Sequence, residues 1–219
     1  MFNLFNKKTE TNLLQTYTLA LNEVKNNSDF ETKLGAFNQV INFCSKDLSC
    51  LNDNSRKRDM ILYWTYSNIG DIFSEKAFKH HDISSYYEAQ ENYQRALNFS
   101  RNSEEKIAVL ERLANLYEQQ GDLVNFYTVK DLLIEAYPIE ERRNAFEELS
   151  ETVEDATQKI YFLEKALDFI KYENIPAVSR CKNTIRLCKK LRTLYADKKD
   201  YANLARIEEL RTNTSYLIH

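Results

Sequence analysis

The sequence predicts an all-α protein, and both its composition and its hydrophobic periodicity support this fold class. The chain has 219 residues but only 3 Gly and 2 Pro, which is too few for the turns of β-sandwiches, barrels and doubly wound sheets. Apolar residues recur at three- and four-residue spacing almost throughout, as is typical of amphipathic helices. We therefore expect a compact helical chain that folds without disulfide or metal staples.

Apolar spacing and polar caps mark the predicted helices of the N-terminal half. A serine with a glutamate three residues later is a capping box, because each side chain satisfies a free backbone N–H at the start of a helix. The polar stretch 45–57 is predicted to be a connector. The first predicted helix is 10–26, and the second begins at the capping box Ser28-Asp29-Phe30-Glu31 and runs through Cys44. The third is 56–78. The fourth is 85–101, with capping-box spacing at Ser85-Tyr86-Tyr87-Glu88, and the fifth begins at Ser103.

Turn residues mark five further helices in the C-terminal half. Gly121 is predicted to end the fifth helix and Asp122 to cap the sixth. Pro138 ends the sixth, Pro176 lies near the first turn of the ninth, and Asp200 caps the tenth. The ten helices pair into antiparallel hairpins at about 10–47, 56–102, 103–138, 139–173 and 176–217, within a domain 10–219 that follows an N-terminal segment 1–9.

Internal similarity indicates that these hairpins are repeats of one unit. Tyr93–Phe99 and Leu163–Phe169 align position by position, and so do 116–123 and 194–201 across two helix-to-helix turns. Segment 107–140 carries the fullest pattern. Its matching residues are Leu110, Leu113, Ala114, Tyr117, Gly121, Asp122, Leu133 and Pro138.

In these residues the sequence resembles the tetratricopeptide repeat (TPR) family. The resemblance implies a right-handed α-solenoid of about five hairpins, a noncatalytic protein-interaction scaffold whose first helices line a concave groove. Gly70 and Ala114 should then lie where helices touch, and segment 63–102 carries about seven extra residues between its helices. The spacing alone also fits another helical-hairpin solenoid, the hairpin layers of SNAP-like adaptors, or an unrelated bundle.

Motifs for catalysis or cofactor binding do not stand out. The three glycines are isolated, so no glycine-rich phosphate loop is predicted. His80, His81 and Asp82 lack the further ligands of a zinc site. No C-x2-C spacing is found among the four cysteines, which are expected to be reduced: Cys44, Cys50, Cys181 and Cys188. A run of acidic residues is predicted to be a solvated helix face: Glu147, Glu148, Glu151, Glu154 and Asp155. We expect no enzyme activity, no metal and no cofactor.

The charge is nearly balanced overall but unevenly distributed. The formal net charge is -3, which argues against a dedicated nucleic-acid binder. Residues 140–174 carry 10 acids against 5 bases, whereas 176–219 carry 10 bases against 4 acids. The basic face of Lys182, Arg186, Lys189 and Lys190 either complements the acidic neighbouring repeat or binds nucleic acid or an acidic effector.

The predicted binding residues lie on first helices, and the expected ligand is a protein or peptide, with nucleic acid less favoured. These residues are Trp64, Asn68, Asp71, Glu111, Asn115, Arg186 and Lys190. Some TPR members clamp a partner's C-terminal carboxylate with five residues. Asn115, Arg186 and Lys190 match three of those positions, but Glu111 and Ala145 depart from the other two.

The N-terminus shows no targeting signal, because Lys7 and Lys8 follow the apolar residues instead of preceding them. We expect a cytoplasmic protein without a membrane segment, and the sequence leaves its oligomeric state open. Residues 1–8 carry Phe2, Leu4 and Phe5. This segment could fold back as a cap on the first helix, dock on another molecule or be disordered.

Overall fold

The computed structural model describes the backbone of residues 2–26, 29–46 and 55–217, with the side chains of 13–26, 29–45 and 56–217. These residues form α-helices, with one short 3-10 helix at Ile170–Tyr172, and they include no strand. The helices are α1 (Phe2–Asn26), α2 (Phe30–Lys46), α3 (Ser55–His80), α4 (Ile83–Phe99), α5 (Ser103–Gln120), α6 (Leu123–Ala136), α7 (Ile139–Thr152), α8 (Ala156–Phe169), α9 (Ala177–Asp197) and α10 (Tyr201–Tyr216). The all-α prediction is confirmed.

The chain divides into two compact units, one up to Val129 and one from Lys130 onward. In the first unit, α1 pairs with α2 and α3 with α4, and each hairpin packs on the next through α2 against α3 and α4 against α5. The first helices α1, α3 and α5 are also neighbours. This arrangement of first and second helices is TPR-like.

The core of the first unit is built where these helices meet. Phe37 and Val40 of α2 are fully buried, and they pack with Ile61 and Ile69 of α3. Gly70 permits close packing of α3 on α4, because a Cβ added there would lie 2.5 Å from Cε1 of Tyr93. The expected close contact at Gly70 is therefore present, and Ala114 is fully buried as well.

The second unit has its own core. The ring of Phe146 on α7 stacks on Phe162 and Phe169 of α8, with ring centroids 6.3 and 5.7 Å apart. Helix α9 packs on α8 and α10, where Leu187 and Ile207 are fully buried. The division of the chain into five hairpins stays a prediction.

Each second helix begins at an aspartate. Asp29, Asp82, Asp122, Asp155 and Asp200 immediately precede α2, α4, α6, α8 and α10, and each carboxylate accepts a hydrogen bond from a backbone N–H of the first turn. Such a side chain satisfies one of the free N–H groups at a helix start. The prediction that Asp122 and Asp200 are caps is confirmed, and Gly121 ends α5 with φ +71°.

Several predicted boundaries were wrong. Helix α1 begins at Phe2 instead of near residue 10, because no Gly or Pro interrupts 1–26 and the helix does not need an apolar face to continue. Asp82, not Ser85, caps α4, and the Ser85 hydroxyl donates to the Asp82 carboxylate.

Two further differences concern connections. The extra length of segment 63–102 lies in a longer α3, so only His81 and Asp82 link α3 to α4. Asn102 caps α5 through the backbone N–H of Glu105. The predicted cap Ser28, the fourth cysteine Cys50 and the side chains of Phe2, Leu4 and Phe5 lie outside the described residues.

Candidate binding surfaces

Between residues 61 and 77, the exposed residues of helix α3 are Trp64 and Glu75. They share one line of the helix with Asn68 and Asp71, and we call these four residues the α3 stripe. These positions are spaced by four, three and four residues and therefore share one helix face. Trp64 and Glu75 are exposed, and Asn68 and Asp71 are half-buried. The stripe contains three of the seven predicted binding residues.

Trp64 is supported by α1. Its indole stacks on the ring of Tyr17, with centroids 5.8 Å apart, and the indole stays 38% exposed. Asn68 donates from Nδ2 to the Trp64 carbonyl at 2.6 Å. Burial raises the pKa of Tyr17 to about 12, although its hydrogen bond with Asn68 acts in the opposite direction. The indole is thus held in place while one part of it faces solvent.

Asp71 joins α3 to both α4 and α5. Its Oδ1 accepts hydrogen bonds from the Tyr93 hydroxyl at 2.8 Å and from Nε of Arg112 at 3.1 Å. Burial, followed by the nearby charge of Asp71, raises the pKa of Tyr93, so the phenol stays protonated and continues to donate. The Asp71 and Arg112 side chains remain 45% and 39% exposed, so part of each is accessible to a ligand.

Glu111 and Asn115 stand one turn apart on α5. Both are exposed, and Arg112 between them reaches to the α3 stripe. The structure therefore brings Trp64, Asn68, Asp71, Glu111 and Asn115 to exposed or half-buried positions on two neighbouring first helices of the first unit. Whether these residues bind a ligand stays a prediction.

Arg186 and Lys190 have a different environment in the second unit. Both donate to Glu147 of α7: Nη2 of Arg186 to Oε2 at 2.8 Å, and Nζ of Lys190 to Oε1 at 2.8 Å. Lys190 also donates to Glu151 at 2.6 Å. The basic side chains of α9 therefore pair with the acidic helix before it, as one of the two interpretations of this face anticipated.

Glu147 belongs to a buried ionic network. Arg143 donates to Glu147 at 3.0 Å and to Glu173 at 2.7 Å, and Asn183 donates to Glu173 at 3.1 Å. Burial alone would raise the pKa of Glu147, but hydrogen bonds from Arg186 and Lys190 outweigh it and lower the pKa below 4.5. Glu147 is therefore ionised at neutral pH. Its prediction as part of a solvated face was wrong, because it is only 7% exposed.

A cavity of about 310 Å³ opens beside this network. Its lining carries three cations and three carboxylates, so no net charge remains to attract an ion. The lining residues are Arg143, Asn144, Glu147, Glu148, Glu151, Arg186 and Lys190.

The sequence did not predict which side chains hold the α3 stripe and the basic face of α9 in place. Tyr17, Tyr93 and Arg112 reach the α3 stripe from three other helices, and Arg143 lies beneath Glu147. For the ionic network around Glu147, the sequence did contain one indication. Arg143 and Glu147 are four residues apart on one helix, so their side chains can form an ion pair. No local signal identifies a contact between side chains 41 residues apart, such as Arg112 and Asp71.

The described residues contain no group of three potential metal ligands, and none of their helices is long and apolar enough to cross a membrane.

Cys44, Cys181 and Cys188 are free thiols. Burial raises the pKa of both Cys44 and Cys188 to about 11, which keeps these two as unreactive thiols at neutral pH.

Comparisons with known proteins find distant structural similarity alone. No family model matches the chain, and no curated protein matches it. A solved structure of a kinesin-light-chain-like protein from Podosopora anserina, with nearly identical TPR-like repeats, is similar at 14% identity and a TM-score of 0.39, over 94% of this chain and 96% of that one. A computationally designed self-assembling cyclic homo-oligomer aligns at 11% identity and a TM-score of 0.24, over 100% and 96%.

Both TM-scores are too low to carry an argument, so the architecture is read from the helices themselves. First and second helices alternate, second helices start at aspartates, and small residues such as Gly70 lie at helix contacts. The chain is an all-α protein built of TPR-like helical hairpins.

Proposed function

We propose that the protein is a noncatalytic scaffold that binds a peptide or partner protein on the surface formed by α3 and α5 of the first unit. The observation that carries this proposal is the exposure of Trp64 within residues 61–74 of α3, where every other residue is buried or half-buried. An indole held by a stacking partner loses little conformational freedom on binding. Tryptophan is also among the residues that contribute most to binding energy in protein interfaces.

The residues around Trp64 suit a peptide ligand. Asn68 and Asn115 each carry an amide that can donate to and accept from a peptide backbone. Asn68 has already used one donor on the Trp64 carbonyl, so its orientation is fixed before a ligand arrives. A surface of this kind gives an apolar anchor beside oriented polar groups, which is the composition of peptide grooves.

Arg186 and Lys190 are left out of this proposed surface. Their charges are neutralised by Glu147 and Glu151 within the second unit. The alternative function, binding of nucleic acid or an acidic effector through the basic face of α9, then depends on Lys182 and Lys189. Those two side chains are exposed, but no further observation favours that alternative.

Affinity capture with matched variants tests the proposal. The wild-type protein, Trp64→Ala, Asn115→Ala and the control Glu88→Gln would each capture proteins from an extract of the source cell, with identification by mass spectrometry. Glu88 is exposed on α4 and is not part of the α3 stripe. We expect at least one protein to be captured by the wild type and the control but lost from both surface variants. Capture that is equal for all four proteins would contradict the proposal.

A further inference from the structure

We propose that the partner inserts an uncharged apolar side chain, of the size of leucine or phenylalanine, against Leu14 of α1 and Trp64 of α3. This inference rests on the proposed function and adds the chemistry of the ligand. It follows from exposed apolar surface on the two helices, from the uncharged sequence around it, and from the neighbouring polar groups, which are hydrogen-bonded within the protein.

Helices α1 and α3 meet at an aromatic stack. The ring of Tyr17 stacks on the Trp64 indole, with centroids 5.8 Å apart. Leu14 precedes Tyr17 by three residues and Leu21 follows it by four, so these three side chains are neighbours on one face of α1. The face of α1 that carries Leu14 is therefore the face that meets Trp64.

Both sides of this contact leave apolar surface in solvent. Leu14 is 52% exposed, Trp64 is exposed as well, and Leu21 is half-buried. A single exposed leucine is common on protein surfaces, but here apolar side chains from two helices border one buried ring. We call Leu14, Leu21 and Trp64 the apolar patch. Contiguous apolar surface of this kind is typical of interaction sites.

The sequence around the apolar patch is uncharged. Residues 11–22 of α1 and 60–70 of α3 contain no Asp, Glu, Lys, Arg or His. On α3, Lys57 and Asp71 each stand seven residues from Trp64, which is about 10.5 Å along the helix. The first charged residues of α3 on this face are therefore of opposite sign and lie at opposite ends of the patch.

Helix α1 shows the same order of charges. The sequence places Glu10 four residues before Leu14 and Lys25 four residues after Leu21. Acidic and basic residues thus flank the patch in equal number, and neither sign of ligand charge is selected at its centre. A charged ligand group placed there would lose water without gaining an ion pair, whereas an uncharged side chain has no such cost.

The polar side chains next to the apolar patch are already hydrogen-bonded within the protein. The Thr18 hydroxyl donates to the Leu14 carbonyl at 2.8 Å. Asn68 donates to the Trp64 carbonyl, and its side chain is also hydrogen-bonded to the Tyr17 hydroxyl. These bonds leave few donors and acceptors for a polar ligand group at the centre of the patch. An apolar side chain needs none, and its binding removes carbon surface of Leu14 and Trp64 from water.

A peptide-display selection tests the inference. A random dodecapeptide library without tryptophan is selected on the folded wild-type protein, and the recovered peptides are synthesised with a fluorescent label for anisotropy titrations. Trp64 is the only tryptophan of the chain, so a change in its emission on adding unlabelled peptide reports binding at the apolar patch. We expect the peptides that change this emission to share a leucine, isoleucine, methionine or phenylalanine. Replacing that residue of the peptide by alanine should weaken binding about ten-fold or more.

Two leucines of α1 provide matched variants. Leu14→Ala removes apolar carbons from the patch and should weaken binding about five- to ten-fold, because the exposed half of this side chain is the part that a ligand would bury. Leu19 is more exposed, at 62%, and lies about 140° around the helix from Leu14. Leu19→Ala should leave the affinity unchanged. Both variants keep Trp64, and far-ultraviolet circular dichroism verifies that each is folded.

The dependence of binding on salt and temperature gives a second readout. Apolar contacts are not screened by ions, so the affinity should not fall as sodium chloride is raised from about 50 to 500 mM. Calorimetric titrations at several temperatures should show a negative heat-capacity change, which is the marker of apolar burial on binding.

The outcomes separate this inference from the proposed function. Peptides that change Trp64 emission but bind through charged residues, or whose affinity responds equally to Leu14→Ala and Leu19→Ala, would overturn the inference while supporting the scaffold function. A wild-type dimer in analytical ultracentrifugation that dissociates in Leu14→Ala but not in Leu19→Ala would assign the patch to a second copy of the chain and overturn the inference. A selection that yields no peptide able to change Trp64 emission would contradict both. Apolar-anchored peptides that respond to Leu14→Ala alone would support both.

Discussion

The two units differ in how their first-helix charges are paired. In the second unit, Arg186 and Lys190 extend from α9 and pair with Glu147, a buried carboxylate on α7, and Lys190 also pairs with Glu151. In the first unit, Glu111 stands exposed, and the stripe beside it carries a half-exposed indole. A charged residue on a first helix is therefore a candidate for ligand binding only if ion pairs within its own unit do not already engage its charge.

Substitution of Glu147 should give the largest effect on stability. Glu147→Gln leaves Arg143, Arg186 and Lys190 without their common anion. Breaking a buried pair costs about 3–5 kcal/mol, and because Arg186 and Lys190 can regain water we expect about 2–4 kcal/mol. Urea unfolding measures the difference, with exposed Glu148→Gln as the control, which should lie within about 0.5 kcal/mol of the wild type. Equal effects for the two variants would mean that the network does not stabilise the second unit.

The same network predicts a dependence of stability on pH. The pKa of Glu147 is lower in the folded protein than its ordinary value of 4.5. Its contribution is therefore fully present above about pH 4.5 and is lost as the pH falls through the folded-state pKa. Urea unfolding between pH 7 and pH 3 should show a smaller loss of stability for Glu147→Gln than for the wild type. Parallel pH profiles would contradict this assignment.

A pair of glycine substitutions tests the support of the α3 stripe. Gly70→Ala would place Cβ 2.5 Å from Tyr93, whose hydroxyl holds Asp71, and should destabilise the protein by about 1–3 kcal/mol through overpacking. Gly35 on α2 has nothing within 4 Å of its added Cβ. Gly35→Ala should therefore stabilise the protein by about 0.5–1 kcal/mol, because alanine favours helix more than glycine does. Thermal unfolding of both variants should show shifts of opposite sign, and shifts of the same sign would contradict the packing at Gly70.

The smallest effect is expected at the exposed ion pair of the first unit. Arg112→Gln removes the bond from Arg112 to Asp71, whose side chains are 39% and 45% exposed. Exposed pairs of this kind contribute about 0.2–1 kcal/mol. Urea unfolding should therefore show a loss well below that of Glu147→Gln. A loss as large as that of Glu147→Gln would mean that the first unit, like the second, depends on its ion pairs.

Much of the fold could be predicted from the sequence because its determinants are local. The helical period, Gly121 at a positive φ, and the caps Asp122 and Asp200 all depend on neighbouring residues. Local reasoning failed at Ser85, where a serine and an aspartate three residues apart compete for the same helix start and the carboxylate takes the cap.

The candidate surfaces were harder to predict, since their properties depend on contacts between distant residues. Trp64 and Asn68 were predicted as binding residues from their places on a first helix, and that role stays a prediction; their contacts with Tyr17 were not predicted. Arg186 and Lys190 were correctly placed on a basic face. Their neutralisation depends on Glu147, which lies 39 residues before Arg186 and had been predicted to face solvent. Burial of Glu147 by the following hairpin could not be read from its own helix.

The aspartates at the starts of the second helices also bear on how the chain folds. Each of them specifies where one hairpin reverses direction, using only hydrogen bonds within a few residues. A hairpin with its own start signal can close before distant parts of the chain have been made or have folded. Proteins dominated by contacts between residues close in sequence fold rapidly, and repeats that contact mainly their neighbours can nucleate at more than one place. The capping aspartates thus allow several hairpins to act as separate starting points for folding.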